Sequence, residues 1–305
     1  MIDMLRVILL LTLAWTAPAL SERLPRPPVD VDVVGELRTV KALHEDPLLE
    51  IARRNDLGQD EILLANPTID RWLPGEGTEV VLPTRYILPA ANRSGIVLNV
   101  PEMRMYYFPP SQQGQADVID VYPVSIGRMD WDTPLGGARI TAKTKDPSWR
   151  PPASIRKEAE ERGEPLPEII PPGPDNPLGR YAMRLSRPGY LIHSTNKPFG
   201  VGMRVTHGCV RMYPEDIEML FPNVPVNTKV QIVDQPVKVG WFLDTLYIEV
   251  HPPLEENRSH ADLLQQAMDL VNEAWLKRPL TLDVRALREA VEQRHGIPVA
   301  VAEAK

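Results

Sequence analysis

The chain has 305 residues and a mass of 34.3 kDa, which is long for one domain, so we expect two domains or one domain with additions. Its formal net charge of −7 and the lack of a basic run argue against a nucleic acid as partner. The 33 prolines indicate many loops and strand edges rather than a helical bundle.

Residues 1–20 have the pattern of a cleavable secretory signal peptide. Arg6 precedes an apolar stretch at 7–15, and small residues allow cleavage after Ala19. The alternative is an uncleaved membrane anchor, but an apolar run of about nine residues is short for a bilayer core about 30 Å thick. The pattern therefore predicts export, and the proline-rich segment 21–34 that follows is predicted to be a linker.

A small unit with the order β-α-α-β is predicted over residues 35–84. Its first helix begins after Asp46 and ends at Gly58, and its second helix covers 60–65. The stretch LLEIARRNDLGQDEILLANPTID resembles a lysin motif (LysM), although Glu-Asp-Pro at 45–47 replaces the Gly-Asp-Thr typical of that family. The resemblance implies binding of the glycan of peptidoglycan or chitin; the alternative is a folded spacer without affinity for glycan.

Residues 94–253 are expected to form a mainly β domain, a sheet sandwich or barrel with short helices, because several short alternating apolar runs are separated by turn residues. A turn at 132–137 is expected to set the register of two strands. The proline-rich segment 147–177 contains a short charged helix and is either a loop over the functional site or a solvated excursion.

The C-terminal residues 254–305 are predicted to form a pair of helices packed on the β domain. An apolar stripe at 261–276 predicts the first helix, capped by Ser259. The second helix is predicted at 283–295, ended by Gly296. We find no chemistry in this extension.

The strongest chemical signal comes from Cys209, which is the only cysteine in the chain and so has no disulfide partner within it. In an exported protein such a thiol is either reactive or a liability. A thiol attacks a carbonyl as the thiolate, so a neighbouring imidazole must take its proton. His193 is the better candidate for this base because it ends the predicted strand 189–193, whereas His207 lies only two positions before the cysteine.

Gly208 allows a sharp turn before the cysteine and lets the N–H groups of both residues face a developing oxyanion. The alternative for two histidines and a cysteine is a zinc site, whose further ligand would come from carboxylates after Pro214. No second metal-type spacing accompanies the trio, so we predict neither a metal nor a cofactor.

The run HSTNKPFGVGMRVTHGCVRM, residues 193–212, resembles the active-site signature of bacterial L,D-transpeptidases. In that family a histidine, a small residue and a threonine precede a Ser/Thr-His-Gly-Cys segment. The resemblance assigns Cys209 as the nucleophile and His193 as the general base. It places Ser194 where the family orients that histidine through a backbone or small side-chain group, and some members carry glycine there.

His207, Gly208 and Arg211 match the remaining signature positions. The resemblance implies that the cysteine attacks the carbonyl of the L-centre of the third-position diamino acid in a peptidoglycan tetrapeptide and expels D-alanine. An amine of a second stem peptide or of an outer-membrane lipoprotein then resolves the thioester. Arg204 and Arg211 are the nearest cations able to bind a carboxylate of the stem, and we include Thr195 as a substrate-binding residue.

Two alternatives use the same sequence features. Water in place of the amine gives an L,D-carboxypeptidase or hydrolase, and nothing in the sequence separates the two acceptors. A cell-wall-binding protein with an inactive site is the other alternative, and the complete signature argues against it. The signal peptide and the resemblance together predict a periplasmic location.

Overall fold

The computed structural model describes residues 22–114, 116–258 and 262–305, so the predicted signal peptide at 1–20 and the predicted helix cap Ser259 lie outside the described residues. No helix in the described ranges combines the length and the apolar character needed to cross a membrane.

The strands are short and follow one another closely. In chain order they are β1 (Glu22–Pro25), β2 (Val33–Gly35), β3 (Arg38–Lys41), β4 (Glu79–Leu82), β5 (Arg85–Ile87), β6 (Gly95–Asn99), β7 (Arg104–Phe108), β8 (Val118–Gly127), β9 (Gly136–Lys145), β10 (Tyr181–Leu185), β11 (Leu191–His193), β12 (Arg204–Thr206), β13 (Val210–Met212), β14 (Lys229–Val233), β15 (Val237–Phe242), β16 (Thr245–Val250), β17 (Leu280–Leu282) and β18 (Val299–Ala304). The helices are α1 (Leu48–Arg54), α2 (Gln59–Ala65), α3 (Ala153–Glu161), α4 (Pro214–Asn223), α5 (Leu263–Lys277) and α6 (Val284–Gln293).

The largest sheet has ten strands and is mainly antiparallel. Its order is β1-β8-β13-β11-β10-β9-β14-β6-β7, with β12 also paired to β8. A further pairing between β7 and β8 closes the sheet on itself, so the central strands form a barrel. This confirms the expectation of a mainly β domain, a sheet sandwich or barrel, with short helices.

Strands β6 and β7 are buried on both faces, which explains why their sequences are almost continuously apolar. Ile96 and Leu98 point into the core inside the barrel. Val97 and Tyr106 point outward into a second core shared with Tyr86. Alternation therefore sends one set of side chains to each core.

The βααβ unit, residues 35–84, has the predicted order of elements. Strands β3 and β4 pair antiparallel, and helices α1 and α2 pack on them. Leu48, Ile51, Ile62 and Val80 are fully buried in the small core between them.

The prediction of a linker at 21–34 is wrong, because the described residues of this segment contain two strands. β1 pairs antiparallel with β8, and Arg23 forms an ion pair with Asp120 of that strand at 2.7 Å. β2 pairs with β5. Prolines suggested a linker, but Pro25 ends an edge strand, where a missing N–H costs nothing in the ladder.

The C-terminal helical pair at 254–305 is also corrected. Helices α5 and α6 are present, but the region also contains β17 and β18. These two strands join β15 and β16 in one four-stranded sheet. The sequence analysis placed the segments of β15 and β16 in the domain at 94–253 instead. The alternating stretch VAVAEA at 299–304 is the strand signal that was missed. Helix α5 is capped by Asp262, whose Oδ1 accepts the Gln265 N–H at 2.9 Å.

Candidate active site

The turn before Cys209 is held by its own side chains. The Thr206 hydroxyl donates to the Cys209 carbonyl oxygen at 2.6 Å. Gly208 has φ of +92°, and a Cβ there would lie 2.6 Å from Cε1 of Tyr190. Glycine is therefore required at this position both for its backbone conformation and for the close approach of the tyrosine ring.

Thr133 fixes this turn from the neighbouring loop. Its side chain is buried, and its hydroxyl accepts the Gly127 N–H at 2.9 Å and donates to the Gly208 carbonyl at 3.1 Å. The predicted turn at 132–137 thus contributes more than strand register, because it anchors the residue before the cysteine.

Strands β11 and β13 bring the predicted base and nucleophile to one face. They are parallel, and His193 is paired with Arg211. Because side chains alternate along a strand, Cys209, Arg211 and His193 lie on the same face of this pair. The cysteine is half-buried, and its Sγ donates a long hydrogen bond to the Gly189 carbonyl at 3.6 Å.

The hydrogen bond of His193 defines its tautomer. Its Nδ1 lies 2.6 Å from the Ser194 carbonyl oxygen, and the ring is only 5% exposed. A carbonyl oxygen accepts but cannot donate, so Nδ1 carries the proton and Nε2 has a free lone pair. Nε2 is the atom able to accept a proton from a thiol. Ser194 therefore acts here through its backbone.

The surroundings of His193 and Cys209 favour a neutral imidazole beside a protonated thiol in the resting protein. Burial, and then the charge of Arg211, lower the pKa of His193 to about 4. Burial raises the pKa of the Cys209 thiol, although the Leu191 N–H and Arg211 oppose this rise. At neutral pH the sulfur keeps its proton and the imidazole is uncharged.

Arg211 lies beside these two groups and has no ion-pair partner among the residues that the structure describes. Its Nε is buried without a hydrogen bond, and no carboxylate of the described residues forms an ion pair with it. Burial lowers its pKa. An unpaired guanidinium at this place is available to bind an anion.

Arg204 and Thr195 both have hydrogen-bond partners within the protein. The Arg204 guanidinium makes two hydrogen bonds to Glu256, at 2.8 and 3.1 Å, and its Nε donates to the Gly127 carbonyl. The Thr195 hydroxyl oxygen accepts the Lys197 N–H at 2.9 Å within its own turn. Both residues shape the loops around the site.

The segment 147–177 reaches the site through Glu158 of helix α3. Its Oε2 lies 2.9 Å from Nε2 of His207 and 2.8 Å from Nη2 of Arg128. These two partners lower the pKa of the Glu158 carboxyl to about 2. The edge of Trp131 packs on the histidine ring, with 5.1 Å between the ring centroids. The segment is thus attached to the signature histidine.

A group of potential metal ligands lies outside the site. Glu102, Glu249 and His251 are buried, and their ligand atoms lie within 4.8 Å of one another. Lys238 Nζ lies 2.5 Å from Glu102 and 2.8 Å from Glu249, in the place of a cation. The ammonium group accounts for this acidic cluster as a buried ion network.

Sequence reasoning missed the role of Glu158 and underestimated Thr133. Each lies more than 45 positions from its partner in the cysteine turn, since Glu158 is 49 residues from His207 and Thr133 is 75 residues from Gly208. No local pattern connects residues so distant.

Comparisons with known proteins identify the family of the chain. The L,D-transpeptidase catalytic domain (YkuD) matches residues 93–232. The chain is similar to the probable L,D-transpeptidase ErfK/SrfK of Escherichia coli K12, with 38% identity over 290 residues, 93% of this chain and 92% of that protein. It is also similar to the probable L,D-transpeptidase YbiS of the same organism, with 38% identity over 292 residues, 93% of this chain and 92% of that protein. Among solved structures, the NMR structure of the catalytic domain of an E. faecium L,D-transpeptidase is 20% identical with a TM-score of 0.35, covering 48% of this chain and 100% of that one. The chain belongs to the L,D-transpeptidase family.

Proposed function

We propose that the protein is an exported enzyme that acts on peptidoglycan through an acylated Cys209. The donor is a tetrapeptide stem, and the reacting group is the carbonyl of the L-centre of its third-position diamino acid. Family membership supports the reaction type. The observation that carries the residue assignment is the shared face of β11 and β13, with the thiol, the imidazole and an unpaired guanidinium on it.

The reaction begins from the neutral pair. As Sγ attacks the carbonyl carbon, Nε2 of His193 takes the thiol proton. The oxyanion is met by the N–H groups of Gly208 and Cys209, which have no protein acceptor among the described residues. When the carbonyl reforms, the C–N bond to D-alanine breaks, and the departing amine takes the proton from the imidazole.

The thioester is then resolved by an amine. The acceptor nitrogen attacks the thioester carbon, His193 takes the proton of that nitrogen, and the departing thiolate of Cys209 recovers it. Acylation and resolution together exchange one amide for another and regenerate the enzyme. The guanidinium of Arg211 is placed to bind the carboxylate of the donor's terminal residue, and a charge-assisted fork is well suited to this.

The decisive experiment is mass spectrometry of the purified enzyme with tetrapeptide muropeptides. We expect D-alanine release and a covalent adduct on Cys209 in the wild type, and neither with Cys209→Ala. Dimeric muropeptides identify a second stem as acceptor, a product joined to a lipoprotein lysine identifies that acceptor, and tripeptide alone identifies water. A folded wild-type protein that forms no adduct would contradict the proposal.

The proposal includes export to the periplasm, supported by the signal pattern at 1–20. Cell fractionation of the full chain and of a chain lacking 1–20 tests it. We expect only the full chain outside the cytoplasm, and equal distribution of the two would contradict export.

We also propose that the βααβ unit binds glycan. Trp72 is 59% exposed, and its loop is fixed because Asp70 Oδ1 accepts the N–H groups of Trp72 and Leu73 at 2.8 and 2.9 Å. A fixed, exposed indole offers a flat apolar face for a sugar ring. We expect Trp72→Ala to bind less insoluble peptidoglycan in a sedimentation assay, with soluble-substrate acylation unchanged, and equal sedimentation would refute this function.

A further inference from the structure

The βααβ unit contacts the loop that joins the proposed base to the proposed nucleophile. The N–H groups of Gln59 and Asp60, in the first turn of α2, donate to the carbonyl oxygens of Val201 and Gly202 at 3.1 and 3.0 Å. N–H groups in the first turn of a helix have no acceptor within the helix. The carbonyls of the catalytic loop supply the acceptors.

The two backbones touch next to these hydrogen bonds. A Cβ on Gly58 would lie 2.9 Å from Cα of Gly202, and a Cβ on Gly202 would lie 2.2 Å from Cα of Gly58. Two glycines thus face each other where neither could carry a side chain without moving the other segment. The loop cannot shift toward the βααβ unit.

The same loop supports Arg211 from its other end. A Cβ on Gly200 would lie 3.5 Å from Nη1 of Arg211, so the guanidinium is the nearest neighbour of Gly200 on that side. The Gly200 carbonyl accepts the hydroxyl of Ser125 at 2.6 Å. Because the guanidinium has no ion pair among the described residues to hold it, a displacement of this loop can change its position.

Further contacts join the two domains around this loop. Arg53 of α1 lies over the ring of Phe199 at 5.8 Å and forms an ion pair with Glu215 at 3.1 Å. The Tyr213 hydroxyl donates to the Leu57 carbonyl at 3.1 Å. The contact is therefore a fixed interface and not a tether between independent modules.

We infer that the βααβ unit is a structural part of the active site, in which residues 58–60 hold the loop 198–202 and thereby position the Arg211 guanidinium for the donor's carboxylate. These are positioning residues, since none of them reaches the reacting atoms. The inference rests on the proposed function, because it assumes that Arg211 binds the carboxylate of the terminal D-alanine.

The test compares two donors, a tetrapeptide with a free terminal carboxylate and its terminal amide. The ratio of their kcat/KM values measures carboxylate recognition. We expect this ratio to be about 10- to 100-fold in the wild type, the range for a hydrogen-bonded charged group, and near 1 in Arg211→Gln. Gly58→Ala adds a Cβ with no backbone penalty, since Gly58 has φ of −77°. It pushes the loop by a few tenths of an ångström, so the ratio should fall about three- to tenfold, mainly through KM.

A second variant removes one of the two hydrogen bonds to the loop and puts a proline ring carbon in the place of the hydrogen that faces Val201. Gln59 is the first helical residue of α2, a position that accepts proline, and Gly58 has the extended conformation that must precede it. Gln59→Pro therefore deletes the N–H donated to Val201 while keeping the helix. We expect the donor ratio to fall as in Gly58→Ala.

Two controls separate positioning from general damage. Gly137→Ala adds a Cβ where no atom lies within 4 Å. Tyr213→Phe removes a hydrogen bond of the same interface that does not involve the loop. Both should keep the wild-type ratio, and alkylation of Cys209 by iodoacetamide should proceed at the wild-type rate in Gly58→Ala, Gln59→Pro and the two controls.

The outcomes distinguish this inference from the proposed function. A wild-type ratio near 1 would overturn carboxylate binding by Arg211, and the inference with it. A large wild-type ratio that is lost in Arg211→Gln but kept in Gly58→Ala and Gln59→Pro would overturn the inference alone. Equal losses for both donors in these two variants would also overturn it, because they would show a merely structural contact.

Discussion

His193 should act as a base down to an unusually low pH. Its pKa is about 4, against an ordinary value of 6.5, because the ring is 5% exposed and lies near the charge of Arg211. This lowering of the pKa corresponds to about 3 kcal/mol against the imidazolium form. Since the neutral ring is the base, acylation should be lost only as the pH falls through about 4.

The assay is single-turnover acylation of Cys209 by a carbapenem, followed by mass spectrometry from pH 3 to pH 8. We expect a half-maximal rate near pH 4 and a constant rate from pH 5 to pH 7. Arg211→Gln removes one of the two causes of the low pKa, so its half-maximal rate should lie at higher pH. A wild-type midpoint near pH 6.5, or a midpoint that Arg211→Gln moves to lower pH, would refute the reasoning.

Circular dichroism at each pH is the necessary control. The low pKa of His193 in the folded protein means that the unfolded chain binds more protons between about pH 6.5 and pH 4. The contribution of His193 to the free energy of unfolding is therefore fully present above pH 6.5 and decreases as the pH falls toward 4. Rates are to be compared only where the spectrum is native.

Three further predictions concern single side chains. Asp56 is buried against Asp216, and burial raises its pKa to about 6, so ionising this carboxyl lowers the stability of the fold as the pH rises from about 4 to 6. Asp56→Asn should therefore be more stable than the wild type by about 2 kcal/mol at pH 7 and no more stable at pH 4, as measured by urea unfolding. Glu158→Ala should lower the acylation rate about tenfold, because it releases His207. Glu158→Gln should retain most of the wild-type rate, and Glu160→Ala on the same helix should match it. Equal rates in all three variants would contradict a role for the Glu158 carboxylate. Thr133→Val should lower the free energy of unfolding by about 2 kcal/mol and slow acylation, because the Gly127 N–H and the Gly208 carbonyl lose their partner. Thr133→Ser keeps both hydrogen bonds and should behave as the wild type. A valine variant with the wild-type rate and melting temperature would exclude this anchoring role.

Local pattern was sufficient for most of the mainly β architecture and for the order of the βααβ unit. Alternating apolar residues predict β6 and β7, and Asn66 with Pro67 predicts the end of α2 at Ala65, where the structure has it. Local pattern failed where the partner was distant. β1 lies in a proline-rich segment and forms a strand by pairing with β8, which is about 100 residues away.

In the site, too, the sequence predicts which residues react, whereas their charge states and partners depend on the tertiary structure. The signature positions at 193–212 identify the thiol and the imidazole, because their chemistry depends on residue type. The charge state of the pair depends instead on burial and on the register that places Arg211 next to His193. The engagement of Arg204 depends on Glu256, 52 residues away. Tertiary structure alone determines these properties.

Direct titration of the Cys209 thiol tests the central claim, that sulfur and imidazole rest uncharged until the substrate arrives. Thiolate absorbance in the ultraviolet is followed against pH, with Cys209→Ala as the blank. Because burial raises the pKa of the Cys209 thiol, the structure predicts that the thiolate signal rises at a higher pH than that of an ordinary exposed cysteine. A thiolate signal at pH 6 that disappears in His193→Ala would contradict the account, because it would show a pre-formed ion pair.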